Sequence, residues 1–151
     1  MKAKKVLQIV RALDFAAWAH SAQRRKGGER EPYVNHLTEV ARLAAQATKG
    51  RDDKLIIAAL LHDVLEDQAM RVNYKMLKDK FGKRVARIVR EVTDDRSLPK
   101  AERKRLQVVH APHLSRRARI LKIADKTANL NSILQSPPED WSVERKTEYF
   151  S

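Results

Sequence analysis

The sequence predicts an all-α protein, folded as a single bundle of about eight helices over residues 1–151. Only 4 Gly and 5 Pro interrupt the 151 residues, so long segments are free of helix-breaking positions. Apolar residues recur at intervals of three and four, and alternating β-branched residues are scarce, which favours helices over strands. A chain of this length suits one domain with a proper hydrophobic core.

The first helix is predicted over residues 4–23, because its apolar residues recur at helical spacing. His20, late in this helix, is interpreted as a helix-end or core histidine rather than a ligand, since no polar cluster lies beside it. The second helix is predicted over residues 37–48, with Asn35 as its N-cap. His36 then lies at the start of that helix, a rigid position from which an imidazole can project.

Residues 24–32 are predicted to form a loop that begins with three cations, Arg24, Arg25 and Lys26. Two glycines follow the cations, and a proline ends the segment. The loop is either a solvated connection or a cradle for phosphate, and the segment by itself leaves both interpretations open.

The third helix is predicted over residues 55–67, capped by Asp52 or Asp53. An uninterrupted apolar run is followed by four ionisable side chains, His62, Asp63, Glu66 and Asp67. On a helix, His62 and Glu66 share one face, and Asp63 and Asp67 share the adjacent face. Buried unpaired charge is costly unless it is paired or binds a metal. His62 and Asp63 are therefore candidate metal ligands, and Glu66 and Asp67 are candidates for orienting a water. The alternative is a solvated helix end with a capped histidine.

Further helices are predicted over residues 72–81, 83–94, 99–110, 116–134 and 141–150. His110 and His113 flank Pro112, which breaks the helix that would align them, so both are predicted to be surface residues. Asp125 stands inside the apolar face of the helix over 116–134, where a carboxylate is unusual.

The chain carries a formal net charge of +13, from 32 Lys and Arg against 19 Asp and Glu. Such an excess predicts attraction to polyanions, whether nucleotides, nucleic acid or an anionic membrane. The sequence has no Cys, which excludes a disulfide framework and a thiolate zinc site and suits the cytoplasm. No apolar run is long enough to span a bilayer, so no membrane segment is expected. The oligomeric state is left open, with a homodimer among the alternatives.

Packing does not explain four groups: His36, His62, Asp63 and Asp125. They come from three separate helices, which a bundle can bring to one point. Two imidazoles and two carboxylates without sulfur suit manganese, iron, zinc or magnesium, and this donor set alone does not choose among them.

These residues, in the order H…HD…D, resemble the pattern of the HD-domain metal phosphohydrolases. More closely, the chain resembles the hydrolase domain of the RelA/SpoT family, especially the short stand-alone members related to the metazoan SpoT homologue. The matching segments run in order along nearly the whole chain and include residues 19–26, 32–36, 58–67, 81–82, 91–95, 98–107, 122–126, 129–130, 141–142 and 148–150.

The resemblance implies a single HD domain that removes the 3′-pyrophosphate from ppGpp or pppGpp in a manganese-dependent reaction of the stringent response. By analogy, Mn²⁺ would be held by His36, His62, Asp63 and Asp125. Glu66 and Asp67 would activate or orient the attacking water. The nucleotide would be contacted by Arg24, Arg25, Lys26, Asn129 and Ser132.

The chain departs from the family pattern at a few positions. Leu37 stands where a proline is usual, and Gln68 stands where a threonine is usual, but neither position supplies a ligand. Thr127-Ala128 replaces bulkier residues, which implies a reshaped pocket and a looser choice of substrate.

Two alternatives to this function stay open. The first is an HD enzyme acting on another phosphorylated nucleotide, such as a nucleoside monophosphate or NADPH. The second is a nucleic-acid-binding helical module, motivated by the basic residues between Lys83 and Arg105. It gives no reason for His36, His62 and Asp125 to occur together, so nucleic acid is not the expected partner.

Overall fold

The computed structural model describes residues 2–27 and 29–135. Within these ranges the chain forms eight α-helices and one 3₁₀ turn, and it contains no β-strand. The helices are α1 (Lys2–Ala19), α2 (Val34–Ala47), α3 (Asp53–Leu61), α4 (Val64–Asp67), α5 (Tyr74–Phe81), α6 (Lys83–Val92), α7 (Lys100–His110) and α8 (Arg116–Gln135), with the 3₁₀ turn at Ala111–His113. The predicted all-α fold is confirmed.

Helix α3 is the centre of the bundle, since it packs against α1, α2 and α6. All of residues 55–61 are buried, which explains why the sequence there is apolar without interruption. A helix surrounded by other helices has no solvent face and needs no polar stripe. The end of α3 is therefore fixed firmly at the middle of the molecule.

Helix α8 brings its midpoint to the end of α3. It packs on α2 and α6, and its buried residues are Ala118, Leu121, Ala124 and Ala128. Three of these four are alanines, whose small side chains leave room for a close approach between helices. Asp125 follows the buried Ala124, so the close approach carries its carboxylate to the N-terminal turn of α2.

The predicted continuous helix over 55–67 is wrong, because α3 ends at Leu61 and a separate single turn, α4, begins at Val64. Nδ1 of His62 lies 2.7 Å from the carbonyl oxygen of Ala59. In an uninterrupted helix that carbonyl would accept from the N–H of residue 63. The side chain of His62 therefore takes over a helical acceptor, and the chain turns at the two residues that carry the candidate ligands.

Other helix boundaries differ by a few residues from the prediction. Helix α1 ends at Ala19 rather than at residue 23, which leaves Gln23 in the following turn. Asn35 is not the N-cap of α2, because the helix begins one residue earlier, and its side chain instead donates to Glu31 at 3.4 Å. Asp52 caps α3 as predicted, accepting from the N–H of Leu55 at 3.1 Å.

Helix α5 begins at Tyr74 rather than at residue 72, because Asn73 caps it through the N–H of Met76. Helix α6 ends at Val92, two residues before the predicted end, and α7 begins just after Pro99. The helix predicted over 141–150 lies outside the described residues. None of the helices in the described ranges is long and apolar enough to cross a membrane.

Candidate metal centre

Four side chains from three parts of the bundle converge at one point. His36 lies in the first turn of α2, His62 and Asp63 lie at the junction of α3 and α4, and Asp125 lies midway along α8. One potential ligand atom from each residue lies within 4.8 Å of the other three. These are the four residues that the sequence singles out as a metal centre.

The four potential ligand atoms form a compact set. Nε2 of His36 is 2.9 Å from Oδ1 of Asp125, and Nε2 of His62 is 3.2 Å from the same oxygen. Nε2 of His62 is also 3.1 Å from Oδ2 of Asp63, which lies 3.7 Å from Nε2 of His36. Both imidazoles are buried, at 3% and 4% exposure, so the surrounding side chains limit their rotation.

The orientation of the His62 ring tests whether this set fits a divalent cation. Nδ1 of His62 faces the carbonyl oxygen of Ala59, which can only accept, so Nδ1 carries a proton. In the charged ring Nε2 donates to the carboxylate oxygens of Asp63 and Asp125, whereas in the neutral ring it points a lone pair at them and these groups repel one another. A divalent cation among the four atoms removes the repulsion, and a histidine anchored through its other nitrogen is the usual metal ligand. The residues therefore fit the ion.

The charges of the cluster stabilise one another. Burial of the His62 ring disfavours its charged form, but the neighbouring Asp63 carboxylate outweighs this effect and raises the pKa of His62 well above its ordinary value. Burial disfavours the charged form of Asp125 as well, yet hydrogen bonds from His36 and His62 hold the pKa of Asp125 far below its usual range. The two carboxylates thus stay ionised and create a field that attracts positive charge.

A second layer of side chains supports the cluster. The hydroxyl of Tyr33 donates to Oδ2 of Asp63 at 2.7 Å. The Tyr33 ring stacks on His20 with 5.1 Å between centroids, and it meets His36 edge-on at 5.4 Å. His20 is 2% exposed and bonds to Gln23, which confirms that it is a core histidine. Sequence reasoning assigned no role to Tyr33, although its place in the segment leading to His36 was a signal.

Glu66 and Asp67 lie on α4, one turn beyond Asp63. Glu66 lines a cavity of about 110 Å³ together with His62, Asp63 and Asp125. Burial raises the pKa of Glu66. Asp67 faces the connection between α1 and α2, where its Oδ2 accepts from Nε2 of Gln23 at 3.0 Å. Of the two acids, Glu66 is the one that lines this cavity with the candidate ligands.

Arg96 contacts both Glu66 and Asp67, and the sequence analysis did not predict a role for it. Its guanidinium binds both carboxylates, with Nη2 at 3.1 Å from Glu66 Oε2 and 2.5 Å from Asp67 Oδ1. Arg96 follows the acids by about thirty positions, in the connection between α6 and α7. No local pattern distinguishes it from the other cations of a basic chain.

Of the five predicted substrate contacts, the structure brings two together beside the candidate metal centre. Arg25 donates to Oδ1 of Asn129 at 3.3 Å, and Asn129 donates in turn to Oδ1 of Asp125 at 3.5 Å. Arg24 and Lys26 are exposed in the loop, and Ser132 is partly buried one turn beyond Asn129 on α8.

Two further cations, Lys122 and Lys126, line the same cavity as Glu66 and were not among the predicted contacts. They lie on the turns of α8 that flank Asp125. Elsewhere in the described residues, His110 and His113 are exposed, as predicted.

Comparisons with known proteins agree with this geometry. The family model described as HD domain matches residues 12–149. The human guanosine-3′,5′-bis(diphosphate) 3′-pyrophosphohydrolase MESH1 is 48% identical over 143 residues, covering 95% of this chain and 79% of the relative. Its Xenopus tropicalis counterpart is 46% identical over 142 residues, covering 94% and 78%. A solved structure described as "A metazoan ortholog of SpoT hydrolyzes ppGpp and plays a role in starvation responses" is 41% identical, with a TM-score of 0.89 over 95% of this chain and 79% of that chain.

Proposed function

The chain belongs to the HD domain family, and on that premise we propose that it is a metal-dependent hydrolase that removes the 3′-pyrophosphate from ppGpp or pppGpp. The products are GDP or GTP and pyrophosphate. The observation that carries the proposal is the convergence of two imidazoles and two carboxylates within 4.8 Å. The relatives at 46% and 48% identity that bear the name of this activity supply the substrate. We also assign the whole of residues 1–151 to one HD domain that acts in the cytoplasm on a small nucleotide, in stringent-response control.

In this proposal, Mn²⁺ is held by His36, His62, Asp63 and Asp125. A divalent ion bound there would supply Lewis-acid chemistry, polarising the 3′-phosphate and making the attacking water more acidic. The bond from Nδ1 of His62 to the Ala59 carbonyl keeps Nε2 directed at the carboxylates of Asp63 and Asp125, where it could act as a ligand. The hydroxyl of Tyr33 restrains the Asp63 carboxylate in the same way.

Glu66 is the proposed general base. Its carboxylate lines the cavity beside the ligand residues, and its raised pKa brings it closer to the pH at which a proton acceptor works best. Asp67 positions the water from the side, anchored by Gln23. Both acids lie on the short α4 turn that the break at His62 and Asp63 creates.

The nucleotide carries several negative charges and needs positive neighbours. Arg25 and Asn129 form a chain of hydrogen bonds that ends on Asp125, so a group bound by this pair lies next to the metal centre. Arg24 and Lys26 add charge at the rim of the same loop, and Ser132 extends the contact surface along α8.

The test is hydrolysis of ppGpp by the purified protein with and without Mn²⁺, with products resolved by chromatography. We expect GDP and pyrophosphate only when the metal is present. Asp125→Ala should abolish turnover, and Asp79→Ala, which changes an exposed aspartate on α5, should not. A nucleoside monophosphate and NADPH are assayed in parallel. Preferential hydrolysis of either one, or no hydrolysis of ppGpp, would contradict the proposed substrate.

A further inference from the structure

Arg96 covers the two acids that are proposed to handle the water. Its Nη2 donates to Glu66 Oε2 and Asp67 Oδ1, and its Nε donates to Glu66 Oε2 at 3.3 Å. The Arg96 side chain is 57% exposed, whereas those of Glu66 and Asp67 are 18% and 9% exposed. The guanidinium is therefore the solvent-facing partner of two largely buried carboxylates.

The remaining oxygens of these acids are held by donors that cannot easily leave. Oε1 of Glu66 accepts from the backbone N–H of Asp94 at 2.9 Å, and Oδ2 of Asp67 accepts from Gln23 at 3.0 Å. Gln23 is itself fixed by His20 and by Gln68. Rotation of the single exposed side chain of Arg96 thus uncovers one oxygen on each acid while both carboxylates stay in place.

The proposed reaction puts phosphate oxygens next to this guanidinium. A water must lie about 2.6–3.2 Å from the base that takes its proton. It must also lie about 3–3.5 Å from the phosphorus that it attacks. The oxygens on that phosphorus then fall within a few ångströms of Arg96, and a guanidinium matches the geometry of phosphate as well as that of carboxylate.

We propose that Arg96 binds the phosphate group that is attacked, and that Glu66 and Asp67 hold its guanidinium in position until phosphate competes for it. The location of that group rests on the proposed function. Once the guanidinium transfers to phosphate, Oε2 of Glu66 and Oδ1 of Asp67 lose their donor and can accept from the water. Binding of the substrate phosphate to Arg96 therefore frees Glu66 and Asp67 from the guanidinium at the same time.

The first test measures the binding of inorganic phosphate to the Mn²⁺-loaded protein by calorimetry. Arg96→Met keeps an unbranched apolar stem but removes the charged group, and it should weaken phosphate binding about tenfold or more, the loss expected for charged hydrogen bonds. Arg105→Met is the matched control, because Arg105 is also exposed and binds one carboxylate, Glu102, through two nitrogens. Equal phosphate affinity in wild type and Arg96→Met, or no phosphate uptake by the wild type, would overturn the inference.

The second test asks whether phosphate competes with the two carboxylates for the Arg96 guanidinium. Asp67→Asn weakens the hold on the guanidinium and should tighten phosphate binding severalfold. In the Arg96→Met background the same substitution should give a smaller gain, because no guanidinium is left to release. An equal gain in phosphate affinity in the two backgrounds would mean a general charge effect, and it would contradict the proposed competition between the acids and phosphate for Arg96.

Phosphate affinity is measured without turnover. The tests therefore distinguish a failure of the proposed function from a failure of the proposed role of Arg96. A wild type that binds phosphate through Arg96 but does not hydrolyse ppGpp contradicts the proposed substrate alone. A wild type that hydrolyses ppGpp while Arg96→Met keeps full phosphate affinity contradicts the role of Arg96 alone.

Discussion

The hydroxyl of Tyr33 donates to the carboxylate oxygen of Asp63 that faces the two imidazoles. This oxygen, Oδ2, lies 2.7 Å from the hydroxyl and 3.1 Å from Nε2 of His62. Burial, together with the negative charge of Asp63, raises the pKa of Tyr33, so the phenol stays protonated and can only donate to the carboxylate. Tyr33 therefore restrains a proposed metal ligand without being a ligand itself.

Removal of this hydroxyl should weaken metal binding while the fold is kept. Tyr33→Phe preserves the ring between His20 and His36 but loses the bond to Asp63, and such outer contacts are worth about tenfold or more in metal affinity. Calorimetric titration with Mn²⁺ measures the change, and excess Mn²⁺ should restore most of the turnover. Tyr74→Phe is the control, since Tyr74 contacts Arg90 on the basic face of α6. An unchanged Mn²⁺ affinity in Tyr33→Phe would show that the hydrogen bond has no such role.

Two acids one turn apart should have separable effects. Asp63→Ala removes a ligand and should abolish Mn²⁺ uptake and turnover together. Glu66→Gln should leave Mn²⁺ affinity nearly unchanged but lower kcat by about a hundredfold or more, the contribution typical of a general base. Metal titration and steady-state kinetics on the same preparations check both. Hydrolysis of ppGpp by Glu66→Gln at the wild-type rate would exclude Glu66 as the base.

Much of the fold was predictable because it depends on local pattern. The apolar run over residues 55–61 predicted a helix with no solvent face, and that helix lies at the centre of the bundle. The break after Leu61 was not predictable, because it depends on the bond of one histidine ring to the Ala59 carbonyl. The predicted N-cap of α2 was wrong because the helix begins at Val34 after Tyr33, which makes no side-chain capping bond and so leaves no capping signal in the sequence.

The candidate site was also predictable only in part. The anomaly of Asp125 in an apolar face was visible, but its contact with His36, 89 positions away, needed the family resemblance or the fold. Gln23 and Arg96 were missed, because both reach the acids of α4 across the bundle. Gln68, noted only as a departure from the family, donates to Gln23 at 2.8 Å and so supports the contact with Asp67.

Metal binding should stabilise the folded protein. An ion bound only by the native state adds stability that grows with its concentration, about 2.7 kcal/mol at one hundred times the dissociation constant. Thermal unfolding followed by circular dichroism should show a higher Tm with Mn²⁺ and a return to the original Tm with excess chelator. Asp125→Asn should show almost no shift, because one carboxylate charge of the cluster is lost. A shift of equal size in Asp125→Asn would mean that Mn²⁺ acts at another site.

Stability should also depend on pH through Asp52, which caps α3 and binds Nε of Arg117 on α8 at 2.8 Å. Partial burial favours the neutral acid, but the hydrogen bonds from Arg117 and from the Leu55 N–H prevail and lower the pKa of Asp52. A carboxyl whose pKa is lower in the folded state stabilises the protein above its unfolded pKa of about 3.9. That contribution is lost as the pH falls through the folded value.

Two substitutions at Asp52 distinguish the stability that comes from its charge from the stability that comes from its capping hydrogen bond. Asp52→Asn keeps a capping oxygen but loses the ion pair, so it should lower the free energy of unfolding at pH 7 by about 1 kcal/mol or less, as for other pairs that water can reach. Asp52→Ala also loses the cap and should cost about 1 kcal/mol more. Urea unfolding at pH 7 and below pH 4 measures both. The difference between wild type and Asp52→Asn should shrink at the lower pH, because protonation removes the same charge that the substitution removes. A difference that stays constant with pH would mean that the ion pair with Arg117 does not stabilise the fold.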